Sequence, residues 1–133
     1  MNEHFLTYEQ CLTIKELGFD EPCFGYYTHN EKLCRYGADE TNVEFLFCTH
    51  KDIYKTYSLA PLKSQFFRWV REKYEHCVHI TPHTENDGDD NFIIYQYEWE
   101  IIHPKYFDGT YHDTYEQAED ACINKIIELL KTK

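Results

Sequence analysis

Apolar residues recur at helical spacing in three segments of the chain. The first, at about residues 8–17, opens with a Thr-Tyr-Glu-Gln capping box at residues 7–10 and ends at Gly18. The second, at about residues 61–74, starts at Pro61; the third follows another Thr-Tyr-Glu-Gln box, at residues 114–117, and runs to about residue 130. The middle stripe consists of Leu62, Phe66, Trp69, Val70 and Tyr74. We therefore predict three amphipathic helices and burial of Trp69 against a sheet.

Five further segments have the short apolar runs or the alternation that predict strands. They lie at about residues 23–28, 32–36, 43–48, 77–81 and 92–103. In the last and longest, Trp99 and Ile101 fall on one side, while Glu98 and Glu100 fall on the other. Such alternation is typical of a half-buried strand. The polar run at residues 84–91 predicts a loop before it.

The predicted order is helix, three strands, helix, two strands, helix. Short connections between consecutive strands favour antiparallel pairing, and each helix has one apolar stripe to bury. We predict an α+β two-layer sandwich, in which a mainly antiparallel sheet of about five strands carries the three helices on one face. The length of 133 residues predicts a single domain, residues 1–133.

Charge is distributed unevenly along the chain, whose formal net charge is −11 at pH 7. Residues 51–73 contain six basic and two acidic residues, whereas residues 84–120 contain eleven acidic residues and one basic residue. This balance excludes nucleic-acid binding driven by the overall field, because such binding depends on neutralising phosphates. It suits a negative surface offered to a protein that binds nucleic acid, although solubility alone is an alternative. The candidate interaction surface comprises Glu85, Asp87, Asp89, Asp90, Glu98 and Glu100.

Catalytic and metal motifs are missing from the sequence. It has no G-x-S-x-G elbow, no Gly-rich phosphate loop and no C-x₂-C pair, and we expect its six cysteines to be reduced. Cys77, His79 and His83 form the densest group of potential metal ligands, but they lack a zinc spacing, and a histidine-rich strand end is the alternative. Glu98 and Glu100 are either an acid/base pair or a solvated strand face. We expect no cofactor, metal site or catalytic residue.

Three stretches of the sequence carry a resemblance to other proteins. They are TYEQ at 7–10 with LGFDEPC at 17–23, APL at 60–62 with FRWVREKY at 67–74, and TYEQAE at 114–119 with the final helix. Together they cover about half of the chain and resemble a family of small uncharacterised proteins encoded by bacteriophages and prophages of gut Bacteroidales. No activity is known for that family. The resemblance therefore implies only a context, a phage accessory protein in an infected bacterial cell.

These observations lead to two hypotheses of different classes, with an enzyme as a remote third. The first is a non-enzymatic protein that binds and modulates a host protein through an acidic surface that mimics nucleic acid. The alternative is a protein that binds a small, nucleotide-type ligand between aromatic walls such as Tyr26, Tyr95, Tyr97 and Trp99. No targeting segment and no run long enough to span a membrane occurs in the sequence, so we expect a cytoplasmic location and no membrane partner.

Overall fold

The computed structural model describes residues 4–35, 53, 55–86, 92–103, 105–107 and 109–132. Three helices and five strands occur in these residues. In chain order they are α1 (Tyr8–Glu16), β1 (Gly25–Tyr27), β2 (Leu33–Arg35), β3 (Ser58–Ala60), α2 (Lys63–Tyr74), β4 (Cys77–Asn86), β5 (Phe92–His103) and α3 (Tyr115–Lys131). The chain divides into two compact units, Met1–Phe66 and Phe67–Lys133, and the boundary falls within α2.

The first unit contains a three-stranded antiparallel sheet in the order β2-β1-β3, and α1 packs on β3. The capping box predicted for α1 is present: the Gln10 backbone N–H donates to Thr7 Oγ1 at 3.2 Å, and the Thr7 N–H donates to Gln10 Oε1 at 2.9 Å. Gly18 follows the helix with a φ of 93°, a left-handed conformation that glycine adopts without steric cost. The buried apolar side chains of this unit include Phe5, Leu6, Cys11, Ile14, Phe19, Tyr27, Leu59 and Phe66.

The second unit contains the long antiparallel pair β4–β5, and α3 packs on both strands. A second capping box starts α3, with the Gln117 N–H donating to Thr114 Oγ1 at 3.1 Å. One face of α3 is buried, as its apolar stripe predicted. The buried apolar side chains of this unit include Trp69, Val70, Trp99, Ile101, Ala118, Cys122, Ile123, Ile126, Ile127 and Leu130.

The α+β class, the three helices and the antiparallel pairing are confirmed, but the prediction of one five-stranded sheet is wrong. The strands form a three-stranded and a two-stranded sheet. β4 and β5 pair with each other along their whole length, whereas the strands of the other sheet are only three residues long. Periodicity shows which face of a strand is buried, but it does not show which strands pair. A helix layer on a sheet is therefore found in each unit separately, and the single domain stays a prediction.

Several element boundaries also differ from the predicted ones. β3 was not predicted, because Ser-Leu-Ala is buried on both faces and has neither alternation nor β-branched residues. β4 continues through Asn86 into the predicted loop, because its polar end pairs with the apolar start of β5. α2 starts at Lys63 and not at Pro61, whose carbonyl accepts a hydrogen bond from the Leu6 N–H at 3.1 Å. The strand predicted at residues 43–48 lies outside the described residues.

Candidate interaction face

From Glu98 to Ile101, β5 separates apolar from acidic side chains, as its alternation predicted. Trp99 and Ile101 are 3% and 0% exposed, so the face of β5 to which they belong is covered. Glu98 and Glu100 alternate with them and are partly exposed on the opposite face. Successive side chains of a strand point to opposite faces, so the two carboxylates lie in one row, about 7 Å apart along the strand.

The register with β4 extends this polar row across both strands. His79 lies opposite Glu100, Thr81 opposite Glu98, and His83 opposite Gln96. Directly opposed residues of an antiparallel pair share one face of the sheet. His79 Nδ1 is 3.9 Å from Glu100 Oε1, and both side chains are well exposed. A contact of this length between exposed side chains is weak and leaves the carboxylate accessible to a partner.

A short segment after β5 pairs along the other edge of this strand. Ile101 and Tyr106 exchange two backbone hydrogen bonds of 2.9 and 2.8 Å, and Tyr97 and His112 exchange two of 2.7 Å. Five residues separate Tyr106 from His112, whereas three separate Tyr97 from Ile101. The surplus residues make the segment bulge away from the strand. Gly109, with a φ of 73°, adopts the left-handed conformation within this bulge.

The bulge exposes two large aromatic side chains, and one of them joins the acidic row. Phe107 and Tyr111 are 52% and 44% exposed. The ring of Tyr111 lies 4.8 Å from that of His83, centroid to centroid, at an angle of 48°. His83 belongs to the same face as Glu98, so Tyr111 borders that face. We call Glu98, Glu100, Tyr111 and Asp113 the acidic–aromatic face.

Asp113 joins this face through Gln96. The Gln96 Nε2 group donates to Asp113 Oδ1 at 3.4 Å, and Gln96 lies in the same row as Glu98. Asp113 is exposed and precedes the cap of α3. The face thus combines three carboxylates and one tyrosine on a two-stranded support.

Aromatic packing holds the base of the bulge in place. The rings of Trp99 and Tyr106 are stacked, with centroids 5.8 Å apart and planes 15° apart. Lys125 Nζ lies 4.5 Å from the centroid of the Tyr106 ring. A hydrogen bond of 3.0 Å to Glu128 is the main reason that the pKa of Lys125 is raised, so this residue stays cationic. The bulge is therefore anchored before any partner binds.

The structure brings together only some of the acidic residues that the sequence singled out. Glu98 and Glu100 lie on one face, as described. Glu85 belongs to β4 and pairs with Ile93 through its backbone, and its side chain lies outside the described residues. Asp87, Asp89 and Asp90 also lie outside them.

Sequence reasoning missed Tyr111 and Asp113. The signal for them was the Asp-Gly pair at residues 108–109, flanked by Phe107 and Tyr111, because Asp-Gly between aromatic residues favours a turn. Such a turn at the end of β5 would have returned the chain along that strand.

The candidate metal ligands do not assemble into a site. Among residues 4–35, 53, 55–86, 92–103, 105–107 and 109–132, no group of three His, Cys, Asp or Glu side chains is placed to hold a metal ion. A register shift between Cys77 and Val78 interrupts the alternation that would have set Cys77 beside His79. His83 points its ring at Tyr111 instead.

Two buried cysteines, Cys11 and Cys122, are unsuited to nucleophilic chemistry. The described cysteines are free thiols. Burial, with a smaller contribution from Glu119, raises the pKa of the Cys122 thiol to about 12, and burial also raises the pKa of Cys11. Both thiols stay protonated at neutral pH, whereas the thiolate is the nucleophile. They pack as small apolar side chains.

The proposed aromatic walls of a ligand site belong to different parts of the fold. Tyr26 lies on β1 in the first unit. Tyr97 packs edge-to-face on Tyr115 at 5.8 Å, and Trp99 stacks on Tyr106, both within the second unit. The side chain of Tyr95 lies outside the described residues. Trp99 is part of the core at 3% exposed, whereas Tyr97 is partly exposed and contacts the exposed Tyr115.

Comparison with known proteins adds no family: no protein-family model, curated protein or solved structure matches this chain. None of the helices in the described part of the chain is both long and apolar enough to cross a bilayer. The function must therefore be inferred from the acidic–aromatic face itself.

Proposed function

We propose that this protein is a non-enzymatic bacteriophage accessory protein that binds a basic surface of a host protein through the acidic–aromatic face. The observation that carries this proposal is the arrangement of Glu98, Glu100 and Asp113 beside the exposed ring of Tyr111. The phage context rests on the resemblance of the three helical segments, and the site of action is the cytoplasm of the infected bacterial cell.

The negative charge of the face supports a particular class of partner. The carboxylates of Glu98 and Glu100 form a row of negative charges in a chain whose net charge is −11. A surface that binds nucleic acid carries Lys and Arg side chains placed to neutralise such rows. Carboxylates also accept bidentate hydrogen bonds from Arg, which adds directional specificity. A nucleic-acid-binding surface is therefore the partner that best complements this face.

Tyr111 adds a large aromatic contact surface to the charged face. Tyrosine is enriched among the residues that dominate binding energy, because it buries a large ring at low entropic cost. Its ring also attracts Arg guanidinium groups that approach its face. A partner rich in Arg would thus contact Tyr111 and the neighbouring carboxylates at once.

The experiment compares two charge-matched variants in a pull-down from host lysate. The face variant carries Glu98→Gln, Glu100→Gln and Asp113→Asn. The control variant carries Glu9→Gln, Glu16→Gln and Glu72→Gln, three exposed residues on α1 and α2. Each variant loses three negative charges, so their overall fields are equally weakened.

We expect the parent and the control variant to capture the same partner. The face variant should fail to capture it. Double-stranded DNA should displace that partner, and raising the salt concentration should weaken its capture. Equal capture by both variants would show that net charge, and not this face, is responsible. Failure of the parent to capture any partner at low salt would also refute the proposal.

A further inference from the structure

The first unit carries a surface stack of three aromatic rings with no role in the proposed function. The rings of Tyr26 and Tyr57 have centroids 5.6 Å apart and planes 9° apart. The rings of His29 and Tyr57 have centroids 6.0 Å apart and planes 21° apart. Tyr57 is therefore shared by two nearly parallel contacts. Tyr26 and Tyr57 are partly exposed, and His29 is exposed.

Strand register explains how the stack forms. Tyr26 pairs with Leu59 across β1 and β3, and Tyr57 lies two residues before Leu59. Tyr26 and Tyr57 are thus diagonal neighbours on one face of the sheet, within reach of aromatic rings. His29 lies in the tight turn that joins β1 to β2, where the Thr28 N–H donates to the Lys32 carbonyl at 3.0 Å. The turn places the imidazole over Tyr57.

Lys15 of α1 holds the backbone at Tyr57 in place. Lys15 Nζ donates to the carbonyl of Lys55 at 2.8 Å and to the carbonyl of Tyr57 at 3.0 Å. These two bonds tie the segment before β3 to α1. A ring held in place before binding loses less freedom when another ring stacks on it.

Two exposed lysines lie close to the stacked residues along the chain. Lys32 belongs to the same turn as His29, and Lys55 lies two residues before Tyr57; both are exposed. Glu31 is the acidic residue of that turn, so the two lysines outnumber it. Stacked aromatic rings beside lysines are the combination by which proteins hold a base and its phosphate.

We infer that this stack binds a mononucleotide, whose base extends the stack at His29 and whose phosphate is attracted by Lys32 and Lys55. A single nucleotide suits the site better than a longer strand, because the net charge of −11 repels each additional phosphate. The inference is independent of the acidic–aromatic face, which lies in the other unit.

The test is a fluorescence titration with 2-aminopurine riboside 5′-monophosphate, which is quenched when its base stacks. The parent should give saturable quenching. His29→Ala should weaken affinity by about fivefold or more, the loss expected for one stacking partner. His29→Phe keeps a ring at this position and should bind as the parent does. Tyr111→Ala, in the other unit, should also leave the affinity unchanged.

The role of the phosphate is tested with the double variant Lys32→Gln, Lys55→Gln. This variant should weaken binding of the monophosphate but not of 2-aminopurine riboside, which lacks the phosphate. Absence of saturation up to about 5 mM monophosphate would overturn the inference. Equal affinity of the parent and His29→Ala would overturn it as well, and equal losses for both probes in the double variant would refute the phosphate contact.

Discussion

The same four residues, Thr-Tyr-Glu-Gln, start a helix in each unit, and the two copies invite comparison. Both form a complete capping box. In both, the tyrosine at the first helical position packs edge-to-face on a strand tyrosine: Tyr8 on Tyr27 at 5.7 Å, and Tyr115 on Tyr97 at 5.8 Å. α1 precedes the strands of its unit, however, whereas α3 follows those of the other. The motif is thus a local solution used twice, in agreement with the lack of other repetition in the sequence.

The two copies differ in burial. Gln10 is 6% exposed and Tyr27 is 8% exposed, whereas their counterparts Gln117 and Tyr97 are exposed and partly exposed, respectively. Local sequence therefore determines the cap, and the surrounding fold determines how much stability the cap contributes. Substitutions in the two units, and in the helix that spans their boundary, should therefore differ in their effect on stability.

Trp69→Ala should cause the largest loss. Trp69 is 5% exposed and packs edge-to-face on Tyr74 at 5.4 Å, so its truncation should lower the free energy of unfolding by about 3–5 kcal/mol. Arg71→Ala, at an exposed position of the same helix, should change it by less than about 0.5 kcal/mol. Urea denaturation followed by circular dichroism measures both. If the units form one domain, Trp69→Ala will shift a single transition, whereas two transitions would separate them.

Tyr27→Phe should have the next largest effect, and it distinguishes the buried tyrosine from its counterpart. Tyr27 Oη donates to the Leu6 carbonyl at 2.8 Å in a buried environment, so we expect a loss of about 1–2 kcal/mol. Tyr97→Phe, at the partly exposed strand position of the other unit, should cost less than about 0.5 kcal/mol. Urea denaturation measures both variants, and an equal decrease in their free energies of unfolding would contradict the contrast in burial.

Tyr27 also predicts how stability depends on pH. Burial raises the pKa of Tyr27 from 10.0 to about 12, with Cys11 contributing less. Because the folded state favours the protonated phenol, its contribution is complete below pH 10.0 and is lost as pH rises through about 12. In Tyr27→Phe, thermal denaturation between these pH values should be less sensitive to pH than in the parent. If the melting temperature of Tyr27→Phe depends on pH as steeply as that of the parent, groups other than Tyr27 cause the loss of stability at alkaline pH.

The difference in stability between the two cap variants should be smaller than the difference between the two tyrosine variants. Thr7→Ala removes the acceptor of a partly buried N–H, and we expect a loss of about 1–2 kcal/mol. Thr114→Ala leaves the Gln117 N–H without this acceptor but accessible to water, and should cost about 0.5–1 kcal/mol. Parallel denaturation curves of the two variants provide the measurement. A larger loss for Thr114→Ala would reverse the comparison.

Tyr111→Ala should have the smallest effect on stability, below about 0.5 kcal/mol, because Tyr111 is 44% exposed. It should nevertheless weaken capture of the basic partner, since Tyr111 belongs to the acidic–aromatic face. Phe107→Ala, on the same bulge, serves as the control for stability. Loss of stability comparable to Trp69→Ala would mean that Tyr111 is a structural residue.

Features determined by near neighbours in the chain were predictable from the sequence. The capping boxes, the buried stripe around Trp69, and the alternation of Glu98 and Trp99 all follow from helical or strand periodicity. Pairing between distant segments was not predictable in this way. β3 has no alternation, and the bulge at Tyr111 depends on which edge of β5 the returning chain meets. The division into two sheets was missed for the same reason.

The acidic surface illustrates the same limit. Glu98 and Glu100 were placed correctly on one face because they lie in one strand. Asp113 is thirteen residues from Glu100 in the chain and reaches the same face only through the pairing of Tyr97 with His112. Sequence proximity therefore identified half of the face that the fold assembles.

The most direct test of the central claim is an amide NMR titration of this 16.1 kDa protein with the partner captured by the parent. The account predicts that the largest shift changes fall on Gln96, Glu98, Glu100, Tyr111 and Asp113. It also predicts that these changes disappear when salt is raised well above 0.1 M, where screening acts within about 10 Å. Shift changes confined to the β1–β2–β3 sheet, with none at Glu98, Glu100 or Tyr111, would contradict the account.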